Sequence, residues 1–448
     1  MVNIVKSNLR RNLLILAAAL MLIVCATIGN GKAGEVNKIE KLPTNIEAAG
    51  VNSTNGIIET DGLNVYGDVG FSDQDEETAT LTDASTEEEI ISIETEVPED
   101  DEVSKVVKGM TVEEKVSQLF IVTPEKLTGS DGVTMAGEAT QKAINETPVG
   151  GIIYMGDNLQ AKTQVQEMLS NTNKYSKERI GLPMFLCVDE EGGTVARVAG
   201  SGRFDVKDVG DMAVIGQTGT PDDARQAGVT IGTYLSELGF NVDFAPVADV
   251  LTNPDNSIVK DRSFGNDSKV CSDMSIAVAE GLKSEGLEAV YKHFPGHGAT
   301  AGDTHLGAAF TNKSVDELSE SELVPFQNAI DDGASFIMVS HISAPGITGH
   351  DTPASLSDIL ITDVLRNRMG YDGIVVTDAM EMGAISQKYS SEEAACMAIK
   401  AGADMILMPE DFKAAYNGVL NAVKSGEISE DRLNESVARI VRVKQGMN

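Results

Sequence analysis

From about Ser104 onward, eight short apolar runs punctuate the chain: QLFIVT (118–123), GGIIYM (150–155), MFLCVD (184–189), VDFAPV (242–247), AVYKHF (289–294), SFIMVSH (335–341), GIVVTD (373–378) and DMILMP (404–409). Runs of this length without polar alternation predict strands buried on both faces, as parallel sheets require. Between them the pattern changes to apolar residues at three- and four-residue intervals. TVEEKVSQLF opens with Thr111 and Glu114 in capping-box spacing, and QAGVTIGTYLSELG stops at Gly239. SVDELSESELVPFQNAIDDG and SEEAACMAIKAGA also carry helical spacing. Eight strands alternating with helices over residues 104–448 predict an α/β fold of the (β/α)8 TIM-barrel type, as a single catalytic domain. An open doubly wound sheet is the competing arrangement, but no G-x-G-x-x-G follows the first strand to support a dinucleotide site.

A barrel of this kind collects its chemistry at the C-terminal ends of its strands. Asp189, Asp249, Lys292, His293, His341 and Asp378 all fall at or just beyond those ends. Positions of this kind in a closed core are more often apolar, so the coincidence of six polar ones points to an active site at one mouth.

The first 103 residues have a different texture. Lys6, Arg10 and Arg11 precede an apolar stretch from Leu13 to Ile28, the layout of a secretory signal. Gly31-Lys32-Ala33 offers a cleavage point; retention of residues 1–33 as an N-terminal membrane anchor is the alternative. Residues 34–103 carry 20 acidic and 2 basic side chains, a net of -18 out of -34 for the whole chain. Such a segment buries too little apolar surface to offset its ordering entropy and is expected to be a disordered acidic linker. The overall acidity excludes a general nucleic-acid binder. Export to the cell envelope or beyond follows from the signal, with membrane contact only through the N-terminal segment, and a monomer is expected. Outside the signal, Cys187, Cys271 and Cys396 are far apart and flanked by apolar residues, so they read as small buried hydrophobes rather than a disulfide or metal framework.

Three of the five histidines lie in YKHFPGHGATAGDTH (291–305). His293 and His297 have the spacing of a helical zinc site, but Pro295, Gly296 and Gly298 interrupt the helix that would put them on one face, and no glutamate follows His293 as a metalloprotease base. The other reading is a mobile loop, with Gly298, Gly302 and Gly307 for freedom, in which Asp303 orients His305 as an acid/base.

KHFPGHG followed by DTH, together with VDEEGG (188–193), DRSFG (261–265) and GIVVTDAMEMGAI (373–385), resembles the β-N-acetylglucosaminidase branch of glycoside hydrolase family 3. The resemblance extends from Met110 to Pro409 with the motifs in the expected order. It implies that Asp378 is the nucleophile of a retaining glycosidase, forming a covalent glycosyl-enzyme. His305 is implied as the acid/base with Asp303 as its partner, where most retaining glycosidases use a second carboxylate. Asp189, Arg197, Arg262, Lys292 and His293 match positions that contact substrate. His297 is left out of the site, as a residue that packs the Pro295-Gly296 turn.

The expected function is exo-hydrolysis of terminal β-linked N-acetylglucosamine from oligosaccharides or peptidoglycan fragments, with a carbohydrate as partner and no metal or organic cofactor. Alternatives are transfer to phosphate at the same site, a β-glucosidase, a metal-dependent hydrolase, and a carbohydrate-binding barrel without turnover. The sister β-glucosidase branch is less similar, since it usually adds a second domain, whereas here RLNESVARIVRVKQGMN reads as a final helix.

Overall fold

The computed structural model describes residues 101–300, 302–304 and 307–447. The signal or anchor expected at 1–33, the linker up to residue 100, and His305 lie outside the described residues. No helix among the described residues is long and apolar enough to cross a membrane.

The eight apolar runs form eight parallel strands. In chain order the strands are β1 (Phe120–Val122), β2 (Gly151–Ile153), β3 (Phe185–Val188), β4 (Glu190–Gly192), β5 (Val195–Ala196), β6 (Val242–Asp243), β7 (Glu288–Phe294), β8 (Phe336–Val339), β9 (Ile374–Thr377) and β10 (Ile406–Leu407). β4 and β5 make a small antiparallel hairpin of their own. The other eight run in the order β10-β1-β2-β3-β6-β7-β8-β9. β9 and the residue before β10 close the ring: Val376 bridges Met405 in parallel, and the Thr377 N–H donates to the Met405 carbonyl at 3.0 Å. The predicted parallel barrel is therefore the fold, and every strand expected from the hydrophobic pattern is one of its staves.

Close approach between staves has a sequence cause at Gly150. A Cβ there would lie 2.1 Å from the Gln118 carbonyl oxygen, so only glycine lets the residues preceding β1 and β2 pack together. The barrel interior is filled by large side chains, with Phe185 and Phe336 meeting edge to face at 5.3 Å. The last helix, Glu430–Gly446, inserts Lys444 against this layer. Its ammonium is fully buried, donates to Gln118 Oε1 at 2.8 Å and lies 4.8 Å from the centre of the Phe185 ring.

Helix ends follow the sequence signals. Thr111 and Glu114 form the capping box of Val112–Gln118, and Gly239 ends Pro221–Leu238 in the left-handed conformation with φ 100°. The helical spacing read through 314–333 is broken into Val315–Ser319 and Val324–Asp331, with Pro325 in the first turn of the second helix. A first helix, Asp101–Gly109, begins ahead of the expected boundary and buries Val103 and Val107. Cys187 and Cys271 are buried free thiols, and Cys396 is free and half-buried.

Candidate active site

At the C-terminal mouth of the barrel, a pocket of about 290 Å³ is lined by Asp189, Glu191, Arg197, Arg262, Lys292, His293, Asp378 and Glu381 together with an apolar set that includes Ile153, Met155, Met338, Met382, Leu407 and Met408. Its size is close to the lower end of small-molecule sites, about 300 Å³. The two sets lie largely on different arcs of the ring. Six of the charged side chains come from just beyond β3, the β4–β5 hairpin, the segment around Arg262 and β7, while Asp378 and Glu381 follow β9; the apolar ones named come from β2, β8, β10 and the segments after β2, β9 and β10.

The charged arc is one connected network. Arg262 holds Glu191 with two bonds, Nε to Oε2 at 2.6 Å and Nη2 to Oε1 at 2.7 Å. Lys292 Nζ reaches Glu191 Oε1 at 2.6 Å and Asp189 Oδ1 at 2.9 Å. Burial raises the cost of ionising Glu191, but Arg262 and Lys292 outweigh it and hold its carboxyl well below the usual range. The same carboxylates, with Asp189 foremost, outweigh the burial of Lys292 and keep its ammonium above the ordinary lysine value.

Lys292 and His293 are consecutive yet both line the pocket. Regular alternation would send one of them away; the pairing of β7 with β8 shifts register between Tyr291 and Phe294, so the alternation is lost where both are needed. His293 is oriented by Asp249, a fully buried carboxylate whose Oδ2 lies 2.7 Å from His293 Nδ1 and whose Oδ1 accepts the His293 and His297 backbone N–H groups at 3.2 and 2.6 Å. The other ring nitrogen of His293 faces Arg262 Nη2 at 3.3 Å.

Asp378 follows β9 at the seam between the two arcs. Its backbone N–H donates to the Val339 carbonyl at 2.8 Å, which continues the β8 ladder, and its Oδ1 accepts the Ala379 N–H at 2.8 Å. Burial acts to raise its pKa, but His341, His293, the Ala379 amide and Lys292 together lower it below the ordinary aspartate value. An ionised carboxylate is therefore maintained in a confined apolar-and-cationic corner. His341 sits beside it, with Nε2 donating to the Ala379 carbonyl at 2.9 Å and Nδ1 2.8 Å from Ser355 Oγ.

Of the residues expected from sequence, the pocket brings together Asp189, Arg197, Arg262, Lys292, His293 and Asp378. Arg197 contributes a buried Nε with no hydrogen-bond partner among the described residues. Asp303 is half-buried outside the lining, where its carbonyl accepts the Gly307 N–H at 3.0 Å. The expectation that Gly298 serves loop freedom is corrected: a Cβ there would lie 2.1 Å from the Val250 carbonyl oxygen, so this glycine is required by packing. Sequence reasoning missed Glu191, although it quoted the VDEEGG stretch, and missed Glu381 within TDAMEM. Asp249 was seen as a strand-end carboxylate but given no task.

The chain is similar to known proteins to differing extents. The chain is 30% identical over 326 residues to beta-hexosaminidase A of Pseudoalteromonas piscicida, covering 67% of this chain and 54% of that protein. It is 33% identical over 340 residues to beta-hexosaminidase LpqI of Mycobacterium tuberculosis, covering 74% and 82%. A solved glycoside hydrolase family 3 beta-N-acetylglucosaminidase from Paenibacillus sp. superposes with a TM-score of 0.70 at 36% identity, over 75% of this chain and 62% of that one. The chain thus spans little more than half of the first of these relatives and most of the second. Residues 111–443 match the Glycosyl hydrolase family 3 N terminal domain, and with the barrel and pocket described above they show that the chain belongs to glycosyl hydrolase family 3.

Proposed function

We propose that the protein is a retaining exo-glycosidase that removes terminal β-linked N-acetylglucosamine from oligosaccharides or peptidoglycan fragments. The observation that carries this reading is Asp378: an ionised carboxylate at the base of a sugar-sized pocket, facing an arc of fixed charged groups. Asp378 attacks the anomeric carbon, the bond from that carbon to the leaving oxygen breaks, and a glycosyl-enzyme ester forms. His305, oriented by Asp303, gives its proton to the leaving oxygen. It then takes a proton from the water that displaces Asp378.

Asp189, Lys292, Arg197, Arg262 and His293 hold the sugar hydroxyls. Rigid ion pairs suit this task, because their geometry is fixed before the sugar arrives and costs little to organise on binding. In this reading residues 1–33 export the chain or anchor it, 34–103 are a tether, and the barrel works in the cell envelope or outside it.

The test is release of nitrophenol from p-nitrophenyl N-acetyl-β-glucosaminide, beside the glucoside, by the full chain and by Asp378→Ala. The acetylated sugar should be preferred, and the variant should lose about 10⁴-fold or more in kcat. Activity on neither sugar would overturn the reading. A sugar phosphate as the product in phosphate buffer would instead select the phosphorylase alternative.

A further inference from the structure

His297 belongs to the same motif as Lys292 and His293 but does not line the pocket, and its surroundings are as fully specified as theirs. It is buried, and its backbone N–H donates to Asp249 Oδ1, on the carboxylate that also orients His293. The Thr300 hydroxyl donates to the His297 carbonyl at 2.9 Å and lies 3.2 Å from ring Nδ1. With that hydroxyl proton engaged, Nδ1–H is the donor to Thr300 Oγ1, and Nε2 is left as an acceptor in the neutral ring. Burial lowers the His297 pKa against the pull of Asp249, which favours this neutral form.

Nε2 faces Thr304 Oγ1 at 3.3 Å, inside the DTH motif. Thr304 is itself buried, and its carbonyl accepts the Ala384 N–H at 3.1 Å, in the short helix that follows Asp378. The residue between Asp303 and His305 is thus tied by its side chain to the turn that follows β7 and by its backbone to the segment after β9. Those segments follow the two strand ends that supply the Lys292–His293 pair and Asp378.

We propose that Asp249, His297 and Thr304 form a latch that fixes the position of the Asp303–His305 pair relative to Asp378, with His297 a positioning residue that acts through Thr304 and does not touch the sugar. The inference rests on the reading of His305 as the acid/base. Positioning matters here because a displacement of about 1 Å in a reacting group can cost on the order of 10²-fold in rate.

A latch defect and a general folding defect differ in how they depend on the leaving group. Protonation is needed for a poor leaving group such as phenol or methylumbelliferone and is dispensable for 2,4-dinitrophenol. In Thr304→Val, which keeps the shape and removes the hydroxyl, kcat/KM for phenyl N-acetyl-β-glucosaminide should fall roughly five- to ten-fold, the equivalent of one lost hydrogen bond. For the dinitrophenyl sugar it should fall less than about two-fold. Thr304→Ser should recover most of the loss, and His297→Leu should show the Thr304→Val pattern.

Azide provides an independent readout. It attacks the anomeric carbon of the glycosyl-enzyme, forming a C–N bond as the ester bond to Asp378 breaks, and needs no base. It should restore turnover of the dinitrophenyl sugar in Thr304→Val and in His305→Ala. If His305→Ala shows the leaving-group dependence and azide rescue while the Thr304 and His297 variants do not, the latch is wrong and the acid/base reading stands. If His305→Ala shows neither, the acid/base reading itself has failed. Equal losses on both sugars in Thr304→Val, without azide rescue, would mean a structural role only and overturn the proposal.

Discussion

Glu191→Gln is the substitution that asks most of the charged arc. Glutamine keeps the shape but removes the charge, and its amide can place N–H groups against a guanidinium or an ammonium where a carboxylate oxygen had accepted. Two bonds from Arg262 and one from Lys292 converge on this carboxylate, whose side chain is 2% exposed; Arg262 is 13% and Lys292 3% exposed. Removing one partner from such a buried cluster leaves uncompensated charge and costs about 3–5 kcal/mol. Spread over roughly 350 ordered residues, with an unfolding entropy of about 2.1 cal/mol/K each, that lowers Tm by about 4–7 °C. Asp189→Asn gives the contrast, because Asp189 is 20% exposed and makes one bond to Lys292; its cost should stay near 1–2 kcal/mol. In Glu191→Gln the Lys292 ammonium also has Asp189 as its one remaining carboxylate partner, so Asp189 is drawn away from the sugar and KM rises. The pH dependence has a definite sign. The Glu191 carboxyl is held below its unfolded value, so its contribution is complete above about pH 4.3 and is lost as pH falls further. The gap in stability between the protein and Glu191→Gln should therefore be flat from pH 5 to 8 and narrow in acid. Thermal unfolding at several pH values, with kcat and KM on the nitrophenyl sugar, reads all of these outcomes. A Tm within about 1 °C of the parent and an unchanged KM would refute the view that the arc is a preassembled network.

Two further substitutions test other parts of the frame. Lys444 is a buried lysine whose pKa burial lowers to about 7; the unfolded chain binds the proton more tightly, so stability rises as pH climbs from 7 towards 10.5. That span is equivalent to about 5 kcal/mol, from which the loss of the Gln118 bond subtracts about 1–3. Lys444→Met should accordingly be more stable at pH 7 by about 2–4 kcal/mol in chemical denaturation, with the advantage shrinking towards pH 10; parallel pH profiles for the two proteins would reject this. Gly298→Ala should drive its methyl into the Val250 carbonyl, cost about 1–3 kcal/mol and depress kcat because the motif before Thr304 shifts. Wild-type unfolding and turnover would return Gly298 to the role of a flexible joint.

The barrel was legible because each stave is a local fact. Runs such as FIMV and IVVT are buried on both faces, their flanks carry helix caps, and neither signal depends on distant residues. The placement of Asp189, Lys292, His293 and Asp378 at the mouth followed from the same logic. What escaped was set by partners far away in sequence. Glu191 acquires its importance from Arg262 and Lys292, and Asp249 from two backbone amides in the histidine motif. Lys444 looks like the polar side of an amphipathic helix until the barrel floor closes over it. Alternation also misleads at Lys292 and His293, where the register shift turns both residues to one side.

The division of the pocket into two arcs explains why the charged residues could be found from strand ends while the other half could not. On the arc from β3 to β7, each group has a charge that needs a partner, and charges at strand ends stand out against an apolar run. On the arc from β8 through β10 to β2, apart from Asp378 and Glu381, the lining includes Met155, Met338, Met382 and Met408 with Ile153 and Leu407, residues that any core would accept. No phenylalanine or tyrosine is among the lining residues, in a chain without tryptophan. Thioethers are flexible and polarizable, and fill irregular space against an apolar surface. In the proposed function, specific hydroxyl contacts would fall to one arc and shape-tolerant packing to the other, with Asp378 between them. In the proposed reaction a sugar would be oriented by its polar edge while its reacting carbon is brought to the seam. Met408 marks how closely that seam is built: it is the one non-glycine residue with positive φ among the described residues, at 47°. Its carbonyl accepts the Glu381 N–H at 3.0 Å, three residues beyond Asp378. A strained backbone at this point is tolerated because β10 and the segment after Asp378 are fixed against each other there. The end of β10 thereby helps to hold the carboxylate in place even though no sequence pattern in DMILMP marks it.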